Sequence, residues 1–329
     1  MNLLKTPCIY LTLAIASAAY AGQTYFVDDD GRQCAGAFRT IQEAVAKARM
    51  GDTILVCPGT YSKTVLIKGH DKDAIRLIAI SHAEEVVLQG DHMEVDGFHL
   101  EDVDNVLLRG FTVRDFGMGP TVQLPNGNIQ SGMGNGILLL NANYNVIENN
   151  QITRNDMMGI FLVDSAGNTV RFNRTWENDS GGSSCGIMLF GPKAKANFIN
   201  QNVAYRNGLA GLMMVDSGSG NLVIDNDFVG NGQWGIENRN TPGTWIEGNR
   251  VRSASGRVGE LVKVANPAFC ATGPCGLGIH VRTSTSVTVI DNFISRTPNL
   301  DILWDGTGQI RFEANSCQTS SHPGLCGLP

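Results

Sequence analysis

The stretch NVIENNQITRNDMMGI (residues 145–160) decides the fold of this chain, because its asparagines recur at fixed intervals between single apolar residues. An α-helix needs apolar residues at i, i+3, i+4 and i+7 and is disfavoured by this many asparagines. A single amphipathic strand would alternate apolar and polar residues more regularly. The stretch fits neither element alone, so its meaning depends on whether the pattern returns.

The pattern N-x-I-x-x-N followed by G-I-x-L returns along most of the chain. Copies of the second part begin at Gly97, Gly136, Gly159, Gly186, Gly211, Gly235 and Gly278, and a last copy begins with Asp301. Most copies lie 23 to 27 residues apart, and the long interval from Gly235 to Gly278 contains an insertion. A fixed period of this length indicates stacked supersecondary units.

Each repeat holds two or three short alternating strands between Gly, Asn or Asp turns, and none holds a segment of helical length. One coil per repeat, with every strand pairing to its equivalents above and below, gives an all-β parallel β-helix, a solenoid. Equivalent residues then stack about 4.8 Å apart. Two asparagine ladders are therefore predicted. The first contains Asn150, Asn173, Asn202, Asn226, Asn249 and Asn292, and the second contains Asn155, Asn178, Asn207 and Asn231.

Both ends of the solenoid carry segments suited to covering an open coil. FRTIQEAVAKARMGD (residues 38–52) predicts one short helix with Thr40 as N-cap, Glu43 completing a capping box and Gly51 as its stop. This N-terminal cap, at about 38–50, would protect the first coil from edge pairing. The tail at about 316–329 is predicted to be closed by a disulfide and to cover the last coil.

Residues 1–21 predict a secretory signal, leaving one domain at 22–329. Lys5 supplies a positive start, an apolar run follows over residues 9–19, and residues 19–21 (AYA) form a small-x-small cleavage site. The apolar run is too short to span a bilayer, and no other segment is long and apolar enough. The sequence therefore predicts a secreted protein, extracellular or periplasmic, with no membrane span in the mature chain.

The charge of the mature chain restricts its partners. Without residues 1–21 the chain has 24 basic and 31 acidic residues, a formal charge of about −7. Nucleic acid is excluded as a partner because it requires a basic face. A polyanionic substrate requires a cation or a local arginine cluster that reverses the field.

Seven cysteines remain in the mature chain, and in an exported protein they favour disulfides over metal ligands. Proximity in sequence predicts the pairs Cys34–Cys57, Cys270–Cys275 and Cys317–Cys326, although sequence alone does not fix connectivity. Cys185 is then left as an unpaired, buried thiol.

The segment FRTIQEAVAKARMGDTILVCPGTYSKTVLI (residues 38–67), followed by N-x-I-x-x-N repeats, resembles the secreted right-handed parallel β-helix proteins of the pectin lyase-like superfamily. The resemblance covers the mature chain and implies the fold. The superfamily includes pectate and alginate lyases, polygalacturonases, pectin methylesterases, uronan epimerases, tailspikes and a periplasmic protein of copper-site assembly. The motifs of the polygalacturonase, methylesterase and epimerase branches are absent. Lyases stay open because their active sites are scattered Lys, Arg and Asp residues.

A first candidate site follows from strand alternation in the G-I-x-L segments. Residues one and three positions after the Gly are apolar and should point inward, so those two and four positions after it point outward. The outward positions turn polar in the last three repeats and predict a patch about 10 Å across. Its members are Glu237, Arg239, His280, Arg282 and Asp305.

This patch has the groups that uronate β-elimination needs. His280 is the candidate base, Arg239 and Arg282 would neutralise the uronate carboxylate, and Glu237 or Asp305 would orient the other groups. The alternative is a solvated face with cross-strand ion pairs.

A second candidate site is the edge from which insertions emerge, at 114–134, 177–184 and 253–277. Such loops can wall a groove for a polymer. Candidate substrate-binding residues at this edge are Arg114, Arg154, Trp176, Tyr205 and Arg206, with the two aromatic rings stacking on sugars. Asp156 and Asp179 occupy equivalent positions and can share a Ca²⁺. The alternatives are turn-capping aspartates and ordinary half-buried aromatic residues.

The outward positions of the middle repeats form an apolar stripe, Leu138, Phe161, Met188 and Met213. It predicts either an exposed patch that joins copies in a homo-oligomer or a surface covered by a loop. Taken together, the sequence favours a protein acting on an extracellular polysaccharide, with uronate lyase activity as the leading hypothesis. A non-catalytic carbohydrate-binding or surface protein and an oligomeric structural or assembly factor are the alternatives.

Overall fold

The computed structural model describes residues 22–117, 122–123, 129–130, 134–179, 182–252 and 276–327. Within these residues the chain passes repeatedly through three parallel sheets, always in the same order, so each coil contributes one strand to each sheet. This is the parallel β-helix predicted from the repeats. We number the sheets 1, 2 and 3 in the order in which a coil enters them.

Sheet 1 has eleven strands among the described residues, each paired in parallel with its equivalents in the adjacent coils. They are β1 Thr24–Val27, β2 Thr53–Val56, β5 Arg76–Ala79, β8 Leu107–Arg109, β13 Val146–Glu148, β16 Thr169–Arg171, β19 Phe198–Asn200, β22 Leu222–Ile224, β25 Trp245–Glu247, β28 Val287–Ile290 and β31 Ile310–Glu313.

Sheet 2 has nine strands in the described part of the chain. They are β3 Gly59–Ser62, β6 Val86–Gln89, β9 Thr112–Arg114, β14 Gln151–Thr153, β17 Arg174–Trp176, β20 Val203–Tyr205, β23 Asp227–Val229, β26 Arg250–Arg252 and β29 Phe293–Ser295.

Sheet 3 also has nine described strands, and it contains all the predicted G-I-x-L segments. They are β4 Val65–Lys68, β7 Phe98–Glu101, β12 Ile137–Leu140, β15 Ile160–Val163, β18 Cys185–Phe190, β21 Ala210–Val215, β24 Trp234–Arg239, β27 Leu277–Arg282 and β30 Ile302–Trp304. Between sheets 2 and 3, β10 Val122–Gln123 and β11 Ile129–Gln130 pair as an antiparallel hairpin. Two short 3₁₀ helices span His70–Lys72 and Ala83–Glu85.

The core is the interior of the coil, filled by the inward residues of all three sheets. Ile152 of β14, Ile160 of β15 and Val170 of β16 are fully buried there, as are their equivalents in other coils. Burial of apolar side chains contributes about 25 cal/mol per Å² of area removed from water. Stacking the repeats therefore stabilises a core that no single repeat can form.

The two predicted asparagine ladders are confirmed. Each Asn side chain bonds to the Asn of the next coil: Asn173 donates through Nδ2 to Asn202 Oδ1 at 3.1 Å and to the Ile147 carbonyl at 2.8 Å. The first ladder extends one coil further, to Asn315. A third ladder, missed in the sequence, runs through Asn145, Asn168, Asn197 and Asn221. Each of the three corners between sheets thus has its own ladder, which satisfies buried backbone groups of the turns.

Helix α1, Ile41–Lys47, confirms the predicted N-terminal cap. Thr40 and Glu43 form the predicted capping box, and the helix packs its apolar face onto β1, β2 and β4. The predicted stop at Gly51 is wrong, because the helix ends at Lys47. The carboxylate of Asp52 accepts a hydrogen bond from the Arg49 amide at 2.8 Å, and this local bond competes with continuation of the helix.

The disulfides Cys34–Cys57 and Cys317–Cys326 are confirmed, and Cys185 is a buried free thiol as predicted. The predicted pair Cys270–Cys275 and the signal segment 1–21 lie outside the described residues, so both stay predictions. Among the described residues, no helix has the length and apolar character needed to cross a membrane.

Candidate functional site

The outer face of sheet 3 carries the first candidate site. Ile236 and Ile279 point into the core, so the residues that follow them, Glu237 and His280, point outward as the alternation predicted. Outward does not mean exposed here, because Glu237 is 0% and His280 4% exposed. The strand alternation therefore gave the direction of these side chains correctly, whereas their burial was not expected.

The five predicted residues of this site lie together. Glu237 and His280 are Cα partners on β24 and β27, and Arg239 and Arg282 are the next outward pair on the same strands. Asp305 follows β30, and its amide donates to the Val281 carbonyl at 3.2 Å. The end of the outer face of sheet 3 is thus a cluster of two carboxylates, two guanidinium groups and one imidazole.

Glu237 is held by Arg282 from the neighbouring strand. Arg282 Nη2 lies 2.7 Å and Nε 2.9 Å from the same oxygen, Glu237 Oε1. The other oxygen, Oε2, is buried without a hydrogen-bond partner. Burial raises the pKa of Glu237 above its usual range, and the charges of Arg282 and Arg239 oppose this without cancelling it.

His280 is held in its neutral form. Its Nδ1 lies 3.9 Å from Glu237 Oε1, beyond hydrogen-bond distance, and its ring centroid is 6.2 Å from that of Trp234. Burial, together with the charges of Arg282 and Arg239, lowers the pKa of His280 to about 4, against the opposing effect of Asp305. At neutral pH this imidazole can therefore accept a proton.

The two arginines of the cluster differ in what they contact. Arg282 is committed to Glu237, whereas the Arg239 side chain has no ion pair or hydrogen bond to any described residue. Asp305 is also committed: it accepts from the Thr283 amide at 2.6 Å and from the Thr307 amide at 2.9 Å. Arg239 is thus the cation of this cluster that is available to an external anion.

The apolar stripe beside this cluster is covered within the chain. Leu138, Phe161 and Met213 are 6%, 5% and 6% exposed, and Met188 is half-buried. They pack with residues that precede or begin the sheet 3 strands, including Met158, Cys185, Leu209, Trp234 and Leu277. Of the two alternatives, the covered surface is therefore confirmed and the exposed patch is wrong for the single chain; strand alternation could not decide between them because it does not reveal what covers an outer face. Homo-oligomerisation itself stays a prediction.

The second candidate site lies on the outer side of sheet 2. The rings of Trp176 and Tyr205 are in adjacent coils and stack on each other, with centroids 5.7 Å apart and planes within 1°. The guanidinium carbon of Arg174 lies 5.9 Å from both ring centroids. Since one face of each ring is occupied by the other ring, the pair does not offer both of its rings as open platforms for sugars.

The charged residues at this edge are paired with one another. Asp115, Arg154, Glu177 and Arg206 occupy one column in successive coils, so their charges alternate in sign. Arg154 forms a two-pronged pair with Asp115 at 2.7 and 2.8 Å, and Arg206 lies 3.7 Å from Glu177. Arg114 donates to Gln89 at 2.8 Å. These arginines therefore largely neutralise local carboxylates rather than forming a cationic groove.

The aspartates proposed for calcium have other partners. Asp156 Oδ1 lies 3.1 Å from His92 Nδ1, and the carboxylate of Asp179 accepts from the Gly182 amide at 2.5 Å. Within the described ranges, neither residue belongs to a group of three carboxylate, imidazole or thiol residues close enough to share an ion. A Ca²⁺ at these two residues stays a prediction that depends on carbonyl and water ligands.

Comparison with protein-family models gives the same fold as the structure. The model of the right-handed β-helix region family matches residues 87–251, half of the chain, so this chain belongs to that family and to the pectin lyase-like superfamily. A second family, the periplasmic copper-binding protein NosD, has a model that is similar over residues 181–322. No curated protein matches the chain by sequence.

Solved structures share the fold at low sequence identity. Pectate lyase Pel9A is 16% identical with a TM-score of 0.55, over 94% of this chain and 82% of its own. The A-module of the Azotobacter vinelandii mannuronan C-5 epimerase AlgE4 is 14% identical with a TM-score of 0.53, over 88% of each chain. The tailspike protein 2 domain of bacteriophage CBA120 is 13% identical with a TM-score of 0.53, over 91% of this chain and 45% of its own.

Proposed function

We propose that this protein binds an acidic polysaccharide at the outer face of sheet 3 and cleaves it by β-elimination at a uronate residue. The observation that carries the proposal is a neutral imidazole, His280, next to a guanidinium group that has no partner among the described residues, Arg239. Removing a proton next to a carboxylate requires a base that is free of its own proton and a cation that neutralises the carboxylate. The cluster supplies both on neighbouring strands.

The proposed reaction assigns one task to each group. Arg239 pairs with the uronate carboxylate, which makes the proton on the adjacent ring carbon, C5, more acidic. His280 accepts this proton, the C4–C5 double bond forms, and the C4–oxygen bond breaks with its electron pair leaving on the oxygen, which takes a proton from water. Arg282 and Glu237 form the buried ion pair behind this site and keep the two strands in register.

The polymer class agrees with the names of two structural neighbours, a pectate lyase and a mannuronan epimerase, since both pectate and mannuronan are polyuronates. At 14–16% identity this likeness supports the fold, and the assignment of substrate rests on the cluster itself. The two disulfides are typical of an exported protein, so an extracellular or periplasmic location belongs to the same proposal.

The test is a panel of pectate, alginate, hyaluronan, glucuronan and a neutral glucan, each with and without Ca²⁺. Ultraviolet absorbance of the unsaturated uronate and the release of reducing ends are followed together. The proposal predicts that both signals rise on at least one polyuronate and that neither rises on the glucan. Reducing ends without absorbance would indicate hydrolysis and contradict the proposed reaction.

A variant separates catalysis from binding. His280→Gln keeps a similar side-chain volume in the buried position but removes the proton acceptor, so cleavage is expected to fall by at least about 100-fold. Polysaccharide binding should stay within about threefold of the wild type. Cleavage at the wild-type rate in this variant would remove His280 from the reaction.

A non-catalytic carbohydrate-binding protein is the second candidate function. It is favoured by the low exposure of His280, 4%, which leaves little of the imidazole open to a polymer. Binding of a polyuronate by the wild type without either product signal would support this candidate over the lyase.

A further inference from the structure

Sulfur atoms are concentrated on the outer face of sheet 3, just before the charged cluster. They belong to Met157, Met158, Cys185, Met188 and Met213. Cys185, Met158 and Met213 are 0%, 7% and 6% exposed, while Met157 and Met188 are half-buried beside them. Neither the proposed polysaccharide site nor the interior of the coil uses these five side chains.

Two of the five sulfur atoms are in direct contact, those of Cys185 and Met213, and a third, that of Met158, lies against the Cys185 backbone amide. Cys185 Sγ lies 3.8 Å from Met213 Sδ, and the Cys185 amide donates to Met158 Sδ at 3.2 Å. The thiol therefore has a thioether sulfur as its hydrogen-bond acceptor, which is a weak partner. Two thioether sulfur atoms, from the preceding and the following coil, thus lie beside one fully buried thiol.

A buried polar atom without a partner lies on the adjacent strand. Glu237 is the Cα partner of Met213 and is 0% exposed, and its Oε2 has no hydrogen-bond partner among the residues that the structure describes. Burial raises the pKa of the Cys185 thiol, and the negative charge of Glu237 raises it further. A buried, unpaired carboxylate oxygen is costly, and a cation held by the neighbouring sulfur atoms would lower that cost.

We propose that Met158, Cys185 and Met213 form a binding site for one monovalent copper ion, with half-buried Met188 on the exposed side of the site. Thioether and thiolate ligands select Cu(I) over the harder divalent ions. Metal–sulfur bonds of about 2.3 Å across the 3.8 Å pair of Cys185 and Met213 give a sulfur–metal–sulfur angle of about 110°. On binding, the Cys185 thiol releases its proton to solvent and the thiolate ligates the ion.

The similarity to the periplasmic copper-binding family spans residues 181–322 and so includes Cys185 and Met213, but it assigns no ligand. The thiol and thioether donor atoms observed in this chain fit copper in its monovalent state, Cu(I). The sulfur ligands take no part in the proposed polysaccharide reaction, although Glu237 borders both sites, and either proposal can fail without the other.

The test is an anaerobic titration with Cu(I) of the protein with its disulfides intact, in the presence of a chromophoric Cu(I) chelator. The wild type is expected to take one equivalent from the chelator and to gain thermal stability on doing so. X-ray absorption at the copper edge should show sulfur ligands. A wild type that leaves all copper on the chelator would overturn the proposal.

Matched variants locate the ion. Met213→Leu removes a thioether at nearly constant volume, and Cys185→Ala removes the thiol; each should weaken Cu(I) binding by at least about tenfold. The control is Met214→Leu, the same substitution on the same strand, but directed into the core. Equal affinity in wild type and Met213→Leu, or equal loss in Met213→Leu and Met214→Leu, would contradict the assignment. Full binding in the double variant Cys185→Ala/Met213→Leu would place the copper elsewhere.

Discussion

Arg282 donates through both Nε and Nη2 to a single oxygen of the fully buried Glu237, although the two residues are 45 positions apart in sequence. They are nevertheless neighbours, because β24 and β27 occupy successive coils of sheet 3. This pair fixes what the other groups of the cluster can do. With Arg282 engaged, Arg239 is the guanidinium group available to a ligand. Burial, together with the positive charges next to His280, lowers the pKa of its imidazole and keeps it neutral.

Replacing Arg282 should lower the free energy of unfolding, because the buried carboxylate of Glu237 then loses the cation that pairs with it. In Arg282→Gln we expect a loss of about 2 kcal/mol in the free energy of unfolding at pH 7, because a buried carboxylate loses its cation. The loss is smaller than for a fully buried pair, since the Arg282 side chain is 33% exposed. Urea unfolding measures it. The double variant Glu237→Gln/Arg282→Gln should recover most of the loss, and equal instability of the single and double variants would contradict this explanation.

The neutral state of His280 predicts a pH dependence of stability. Its pKa is lowered from 6.5 to about 4 by folding, so the unfolded chain binds the proton more tightly. The contribution of neutral His280 to the free energy of unfolding is fully present above about pH 6.5. It is lost as the pH falls towards 4, a change of about 3 kcal/mol.

Comparison with His280→Gln isolates this contribution from other groups. The wild type should lose about 3 kcal/mol more than the variant when urea unfolding is repeated between pH 7 and pH 4. Parallel pH curves for the two proteins would show that His280 titrates normally in the folded state.

The asparagine ladders predict a large effect from one buried amide. In Asn202→Ala, Asn173 loses its acceptor for both Nδ2 and the backbone amide, and the Val170 carbonyl loses a donor. We expect a loss of about 3 kcal/mol in the free energy of unfolding. The control is Asn200→Ala, two residues away, where one bond to the Ile224 carbonyl is removed from a half-buried side chain. Similar losses for both variants would indicate that the ladder has no special role.

Cys185 should be unreactive in the folded protein. It is fully buried, and its raised pKa disfavours the reactive thiolate. A thiol reagent is added to the metal-free protein, and the number of modified thiols per chain is counted. Wild type and Cys185→Ala should give the same number before unfolding, and the wild type should give one more after unfolding. Rapid modification of this thiol in the native state would contradict the described burial.

Periodicity explains why so much of the fold was predictable. The asparagines at positions 150, 173 and 202 identify the coil because a buried amide ladder requires the same residue in every repeat. The third ladder, beginning with Asn145, has the same spacing and was detectable by the same signal. The stop predicted at Gly51 was wrong because a helix can end earlier when a nearby side chain, here Asp52, accepts a hydrogen bond from a backbone amide, that of Arg49, which a continued helix would use.

The sequence predicted which residues lie together in the cluster on sheet 3, but it did not predict their burial or their ion pairs. A period of two residues places Glu237 and His280 on the outer face, yet it contains no information on what covers that face. It likewise does not reveal which arginine is already paired, since this depends on carboxylates in neighbouring coils. In the part of the chain that the structure describes, Arg154 and Arg282 are paired and Arg239 is not. The contact of Cys185 with Met213 was hidden for the same reason.

The most direct test of the proposed function is calorimetric binding of a short oligouronate to the wild type, Arg239→Gln and Arg250→Gln. Arg250 is an exposed arginine on sheet 2, away from the cluster, and serves as the matched control. We predict that the wild type and Arg250→Gln bind alike, that Arg239→Gln loses at least about tenfold in affinity, and that a neutral oligosaccharide does not bind. Equal affinity in all three proteins, or equal binding of the neutral sugar, would contradict recognition of an acidic polysaccharide at the outer face of sheet 3.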